Sequence, residues 1–319
     1  MGVVVLAQFC QIDRSFVEAS MAKLKNKVVD QSDLTEYLEK YSDFSFEVSV
    51  LKALDRLGFT CEHSGSYTDR TTQKIREFDI RALKIFEKSF LRLAVECKNL
   101  RENYPLIVSC IPRGEKESFH DIIASVDPEV QLLEEPEQFS SRAMALESKA
   151  IRVPATHSFY RMGSPVGKSC DQVGRGYSDE IISGDSDVYS KWSQALSSAD
   201  DLIYDATRDG IERTGDIAFG LVIPLLVVPN GRLWTAEFND VGTRVSSPIQ
   251  VDRCSYFVNL NYTHRSNLFQ TEVCLSHLEF VTENGLVTFI NEHFGSDEIV
   301  RDTFAIEFLV EEITKQFDS

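Results

Sequence analysis

The chain has 319 residues, 43% of them hydrophobic and 26% charged, enough apolar side chain for one large or two modest cores and too much for a disordered protein. No apolar run reaches the roughly 18 residues that a membrane helix requires, and no basic segment precedes the short apolar start. The expectation is a soluble, cytoplasmic protein with no leader and no membrane partner. Seven scattered cysteines without a CxxC pair argue against both a disulfide scaffold and a zinc knuckle.

Basic residues number 33 and acidic residues 50, a net charge of −17 that on average repels a polyanion. The distribution is uneven. From His63 to Arg101 nine basic residues face five acidic ones, and from Ser140 to Gly176 six face two. From Asn267 to the end eleven acidic residues face two basic ones. Basic segments on an acidic chain suit a phosphate binder, although solvated helix and strand faces produce the same counts.

In chain order, Asp33 and Glu36 read as a capping box ahead of Leu34, Tyr37 and Leu38. Phe46, Val50, Leu51, Leu54 and Leu57 recur at helical spacing and Gly58 follows, which predicts a helix over 45–57. A short strand over 59–62 and a polar loop over 64–72 come next. Residues 75–86 alternate, with Phe78, Ile80 and Ala82 opposite Glu77, Asp79 and Arg81. Residues 90–98 also alternate, with Leu91, Leu93, Val95 and Cys97 opposite Arg92, Ala94, Glu96 and Lys98. A buried strand over 106–111 ends at Pro112.

The pattern loosens over 113–185, which reads as an insertion with a helix near 140–149 and irregular chain over 154–184. Trp192, Ala195, Leu196, Ala199, Leu202, Ile203 and Ala206 then define a long amphipathic helix over 188–208. A buried strand over 218–228 is interrupted by Pro224, which weakens a central placement, and Asn230-Gly231 predicts a hairpin into 232–238. A strand over 255–260 and an acidic amphipathic helix over 303–317 complete the reading. The expected fold class is α/β, with a helical extension over 1–40, a domain over 41–260 and an acidic extension over 261–319 packed on it.

Asp79 and Glu96 lie on neighbouring strands with side chains on one side, and Lys98 follows Glu96 at the next alternate position. Two carboxylates so placed form a hard-oxygen site for Mg²⁺ or Mn²⁺, and an amine beside them can orient an attacking water or neutralise a phosphorane. Cys97 would turn its thiol away and offer its backbone carbonyl to the metal, while Glu47, early in the preceding helix, could reach the same cleft. Arg70, Lys74 and Arg76 near the Asp79 strand, and Lys168 and Arg175 in the second basic segment, are candidate phosphate contacts. The bland alternative is a solvated ladder of cross-strand ion pairs.

The helix bearing Glu47, the segment Glu77-Phe78-Asp79-Ile80 and the segment Ala94-Val95-Glu96-Cys97-Lys98 resemble the PD-(D/E)xK nuclease superfamily in their order of helix, hairpin and motif. The family's motif proline is absent, since Phe78 precedes Asp79. The resemblance covers roughly 43–111 well and implies a restriction-endonuclease-like mixed central sheet flanked by helices. It further implies that Asp79 and Glu96 bind the divalent ion, that Lys98 supports the nucleophile and that Glu47 assists. DNA is the expected substrate, with defence against foreign DNA as a setting by analogy and a homodimer as one assembly. The competing expectations are an RNA or branched-DNA nuclease on the same core, and a silent binding module whose acidic C-terminal region docks a protein.

Other motifs carry less. The segment Gly163 to Ser169 is one residue short of a phosphate-binding loop, and the six histidines show no paired ligand spacing. Trp192 is best explained by core packing, with Gln194 and Gln172 as weaker phosphate contacts.

Overall fold

A computed structural model describes residues 27–126, 148–209, 217–265 and 270–317. Helix α1 spans Gln31–Lys40, with Asp30 rather than Asp33 as its cap. The Asp30 carboxylate accepts from the Ser32 and Asp33 backbone N–H groups at 2.8 and 3.1 Å, and Asp33 reaches back to the Asp30 N–H at 3.1 Å. Helix α2 spans Phe44–Arg56 and buries Phe46, Val50 and Leu54. Gly58 follows it at φ +84°, the left-handed conformation that ends helices.

Strands β1 (Thr60–Thr68), β2 (Ile75–Ile85) and β3 (Ser89–Cys97) form an antiparallel meander. β1 is longer than its polarity predicts. Its Gly65 pairs with Phe78, whose ring occupies the space a Cβ would fill, so an apparent loop residue is a packing requirement of the hairpin. Strands β4 (Leu106–Pro112), β5 (His120–Val126), β6 (Ser148–Val153), β7 (Pro165–Arg175) and β8 (Ile181–Gly184) precede the 24-residue helix α3, Ser186–Asp209. The segment over 154–184 is therefore less irregular than its sequence, since β7 is an internal strand with β4 and β12 as neighbours. Of the helix expected near 140–149, residues 140–147 lie outside the described part of the chain, and Ser148 and Lys149 open β6.

After α3 come β9 (Ile217–Val228), β10 (Leu233–Glu237), β11 (Ile249–Gln250), β12 (Arg253–Arg265) and β13 (Gln270–Thr282). Helices α4 (Glu283–Phe294), α5 (Asp297–Thr303) and α6 (Ile306–Phe317) follow. The terminal helix thus starts three residues later than the sequence predicts, after Ala305 at φ +54° separates it from α5. The described strands form one mixed sheet, ordered β1-β2-β3-β9-β13-β12-β7-β4-β10-β11, with β5, β6 and β8 attached beside that path.

Strand β9 is central despite Pro224. On one side it runs parallel to β3, while on the other β5 pairs with residues up to Gly220 and β13 pairs from Leu225 onward. Pro224 falls in the gap between those two partners, where a missing N–H costs no ladder bond on that side. The turn at Asn230-Gly231 forms, with Arg232 N–H donating to Pro229, but it does not close a hairpin. Both edges of β9 are taken, so β10 crosses over and pairs parallel to β4.

Helices cover both faces of the sheet. Leu91, Leu93, Val95 and Cys97 of β3 and Leu221, Ile223, Leu225 and Val227 of β9 pack on the side of α2 and α4 to α6. Phe90 and Ala94 of β3 and Val222 and Leu226 of β9 pack on the side of α3. Burial on both faces explains why β9 reads as a continuous apolar run.

Candidate functional site

Even-numbered residues of β3 from Phe90 to Glu96 face α3. Asp79 stands opposite Glu96, one pair beyond the Ile80–Val95 rung of the β2–β3 ladder. The two carboxylates are therefore together, as the alternation predicts. Asp79 is held in place by the Cys97 backbone N–H, which donates to its Oδ2 at 2.8 Å. The Cys97 contact to Asp79 thus runs through its N–H, while its thiol lies in the opposite core, as expected.

The amine between the acids is Lys191 of α3. Its Nζ donates to Asp79 at 2.7 Å (Oδ2) and 3.0 Å (Oδ1), and to Glu96 Oε2 at 3.3 Å. Lys98, the expected partner, lies one residue beyond the end of β3, and its Nζ bonds Asp43 at the start of α2 at 3.3 Å. The correction has a simple cause. Asp43 also accepts from the Asn99 N–H at 2.8 Å, so the chain leaving β3 is drawn toward α2 and carries the Lys98 side chain with it. Lys191 sits on the first turns of α3, whose position over β2 is fixed by Gln194 donating to the Glu77 carbonyl at 2.6 Å and by Arg81 pairing with Asp201 at 2.9 Å. Gln194 is thereby a scaffold contact. The only sequence signal for Lys191 is a cation one position before Trp192 on an otherwise apolar helix face.

Glu47 borders the cluster. Its Oε2 lies 3.4 Å from His63 Nε2, and its carboxyl is raised from the ordinary range by burial first and by the charge of Asp79 second, with Lys191 opposing. Burial, followed by the charges of Asp79, Glu47 and Glu96, also pushes the Cys97 thiol up.

Glu96 has no exposed side-chain surface, and its Oε1 has no hydrogen-bond partner among the described residues. Burial and then the neighbouring Asp79 carboxylate push its pKa up to about 9 despite Lys191. At neutral pH the carboxyl therefore keeps its proton. Burial works against the Lys191 charge, but Asp79, and Glu96 once it is ionised, more than offset it and hold the ammonium above its ordinary range. Asp79 and Lys191 retain 12% and 20% of their side-chain exposure, so the cluster meets solvent through them.

Among the described residues no three His, Cys, Asp or Glu side chains are gathered closely enough to hold a metal ion by themselves. Mg²⁺ nevertheless keeps several waters and is commonly held by one or two carboxylates. Asp79 and Glu96 supply that pair of hard oxygen donors, the unpartnered Glu96 Oε1 is spare capacity, and the ammonium between them shows that the place accepts positive charge. The donor set therefore fits a small divalent cation.

The candidate phosphate contacts divide. Arg70, Lys74 and Arg76 stand at the β1–β2 turn, where Arg70 lies 3.4 Å over the Tyr204 ring and 3.6 Å from Asp201, and Arg76 pairs with Asp69. Lys74 is exposed. Lys168 and Arg175 are on β7, five strands from β2 in the sheet order. At about 4.8 Å per strand that is roughly 24 Å from Asp79 and roughly 19 Å from Glu96 on β3. Lys168 pairs with Glu117, and Arg175 donates to the Asp179 carbonyl at 2.9 Å. The stretch from Gly163 runs into β7 and no helix N-terminus follows it, so it forms no phosphate loop. Gln172 is buried and donates to the Tyr104 carbonyl at 3.1 Å.

Comparison of the chain with protein-family models, with curated proteins and with solved structures finds no match.

Proposed function

We propose that the protein is a metal-dependent nuclease, hydrolysing phosphodiester bonds of DNA on a restriction-endonuclease-like core. The observation that carries this reading is the convergence of Asp79, Glu96 and Lys191 from β2, β3 and α3. The order of α2, the β1–β2 hairpin and β3 agrees with the resemblance, and α3 and β9 pack directly on β3 as the remainder of such a core would.

Asp79 and Glu96 would hold Mg²⁺ or Mn²⁺. A bound ion there would polarise the phosphate and lower the pKa of a coordinated water. The chain's own contribution is positioning and charge. The Cys97 N–H fixes the Asp79 carboxylate, and loading Glu96 requires loss of its proton, so cation affinity rises with pH until about 9. Lys191 takes the place foreseen for Lys98, as the only ammonium within hydrogen-bond reach of both acids among the described residues. There it stabilises negative charge growing on the phosphoryl oxygens.

The fit of Lys191 between the acids also supports a second reading, a silent module in which the ammonium permanently replaces the metal. One experiment separates the two. Duplex DNA, single-stranded DNA and RNA are incubated with the wild type, Asp79→Asn, Lys191→Ala and Lys98→Ala, each with Mg²⁺, Mn²⁺ or EDTA. The nuclease reading requires metal-dependent cleavage that is lost in the first two variants and kept in the third. Equal behaviour of all four proteins removes it, and cleavage of RNA alone reassigns the substrate.

A further inference from the structure

On the sheet face away from α3, a second group of buried charges surrounds a cavity of about 300 Å³, at the small end of ligand-binding pockets. Its walls include Arg113 after β4, Tyr160 after β6, Thr235 and Glu237 of β10, and Arg253 and Ser255 of β12. Arg253 is neutralised. Its Nε donates to Glu279 Oε2 at 2.7 Å, the Ser255 hydroxyl donates to the same oxygen at 3.1 Å, and the guanidinium lies 3.9 Å over the Phe289 ring.

Arg113 has no acid partner, although its guanidinium lies 5.2 Å over the Tyr160 ring. It is 4% exposed, and among the described residues no carboxylate lies within salt-bridge distance of it. Its hydrogen bond runs from one terminal nitrogen to the Arg161 carbonyl at 3.2 Å, and its Nε is buried with none. Burial presses this guanidinium toward losing its charge; Tyr160 and Glu279 oppose that shift and Arg253 adds to it. The nearby imidazoles do not alter the balance, because burial depresses His277 to about 2, His120 to about 3 and His293 to about 4, leaving them neutral. One buried and one part-exposed guanidinium thus face one buried carboxylate, with Glu237 half-buried at the rim.

A guanidinium kept in a low-dielectric cavity without an acid is costly unless an anion joins it, and its planar fork matches an oxyanion of two or three oxygens. We propose that this cavity binds a small oxyanion, carried on a phosphate ester or a carboxylate, with Arg113 as its charge partner and Thr235 beside it. The site is independent of the nuclease reading, since it lies on the opposite face and shares no residue with Asp79, Glu96 or Lys191.

The test uses the full chain in chloride buffer with EDTA, titrated with sodium phosphate and separately with sodium succinate at constant ionic strength, while Tm is followed. A saturable rise with one of them is expected, and which anion gives it sets the ligand class. The rise should persist in Asp79→Asn and vanish in Arg113→Met. If Arg113→Met does not fold, Thr235→Leu, which narrows the cavity and leaves the guanidinium, should abolish saturation instead. No saturable rise with either anion overturns the proposal. So does a rise that survives Arg113→Met or, should that variant not fold, Thr235→Leu.

Discussion

Glu96 and Glu279 are both fully buried, both leave one carboxylate oxygen without a hydrogen-bond partner, and both lie beside β9, opposite Leu226 and Leu225. They point to opposite faces of the sheet, and their surroundings have opposite sign. In the first cluster Glu96, Asp79 and, at its border, Glu47 outnumber Lys191. Around Glu279 the guanidiniums of Arg253 and Arg113 outnumber the carboxylate. A buried charge needs a partner of opposite sign, so the first cluster calls for a cation or a proton and the second for an anion. One sheet separates the two, and neither can neutralise the other.

The largest expected effect is on chemistry at the first cluster. Asp79→Asn and Lys191→Ala should each lower metal-dependent cleavage by about 100-fold or more, as for loss of a preorganised charge partner. Lys98→Ala should stay within about threefold of wild type and cost under about 1 kcal/mol of stability, because its partly exposed pair with Asp43 lies outside the cluster. Rate assays and urea titrations on the three variants check both statements, and a Lys98→Ala protein as inactive as Lys191→Ala would erase the distinction between them.

Stability against pH should separate the clusters next. The folded chain holds a proton on Glu96 up to about 9, whereas the unfolded chain releases it near 4.5. Protons are therefore lost on unfolding between those values, and stability falls as pH rises from about 4.5 through about 9. Glu96→Gln should flatten that limb. The second cluster acts at the acid end. His277 is depressed from 6.5 to about 2, so the unfolded chain takes up a proton that the folded chain refuses, and stability falls as pH drops below about 6.5. His277→Phe, which preserves a ring against Tyr160, should weaken the acid limb and leave the alkaline one unchanged. Denaturant titrations across pH would show the limbs; a single variant altering both would mean that the clusters are coupled through β9.

The remaining test is of β9 itself, the wall between them. A Cβ on Gly220 would stand 2.3 Å from the Phe90 ring of its paired residue. Gly220→Ala should cost about 1–3 kcal/mol through overpacking, and Phe90→Leu should recover part of that loss.

The elements with strong periodicity, α2, β2, β3 and α3, are legible in the sequence because each buries a face whose spacing is set by its own backbone geometry. The juxtaposition of Asp79 and Glu96 is legible for the same reason, since adjacent strands place opposite residues on one side. Neighbour choice is not. The hairpin expected at Asn230-Gly231 becomes a crossover because β3, β5 and β13 already occupy the edges of β9, a competition no local pattern records. Likewise the polar, glycine-bearing stretch that becomes β7 is a strand only because β4 offers it a ladder and β12 pairs with it at Gly167.

The sequence by itself determined the two carboxylates, because strand alternation is a local rule, and it determined that an α/β sheet would carry them. Only the tertiary structure decided which amine joins them. Lys98 is two residues from Glu96 along the chain but beyond the last rung of its strand, whereas Lys191 is brought in by the docking of a whole helix on the far side of the fold. The same holds for the guanidinium pair around Glu279, which is assembled from separate strands and connections. Charges gathered through packing leave no spacing in the chain, since the sheet's strand order, not sequence distance, sets which side chains meet.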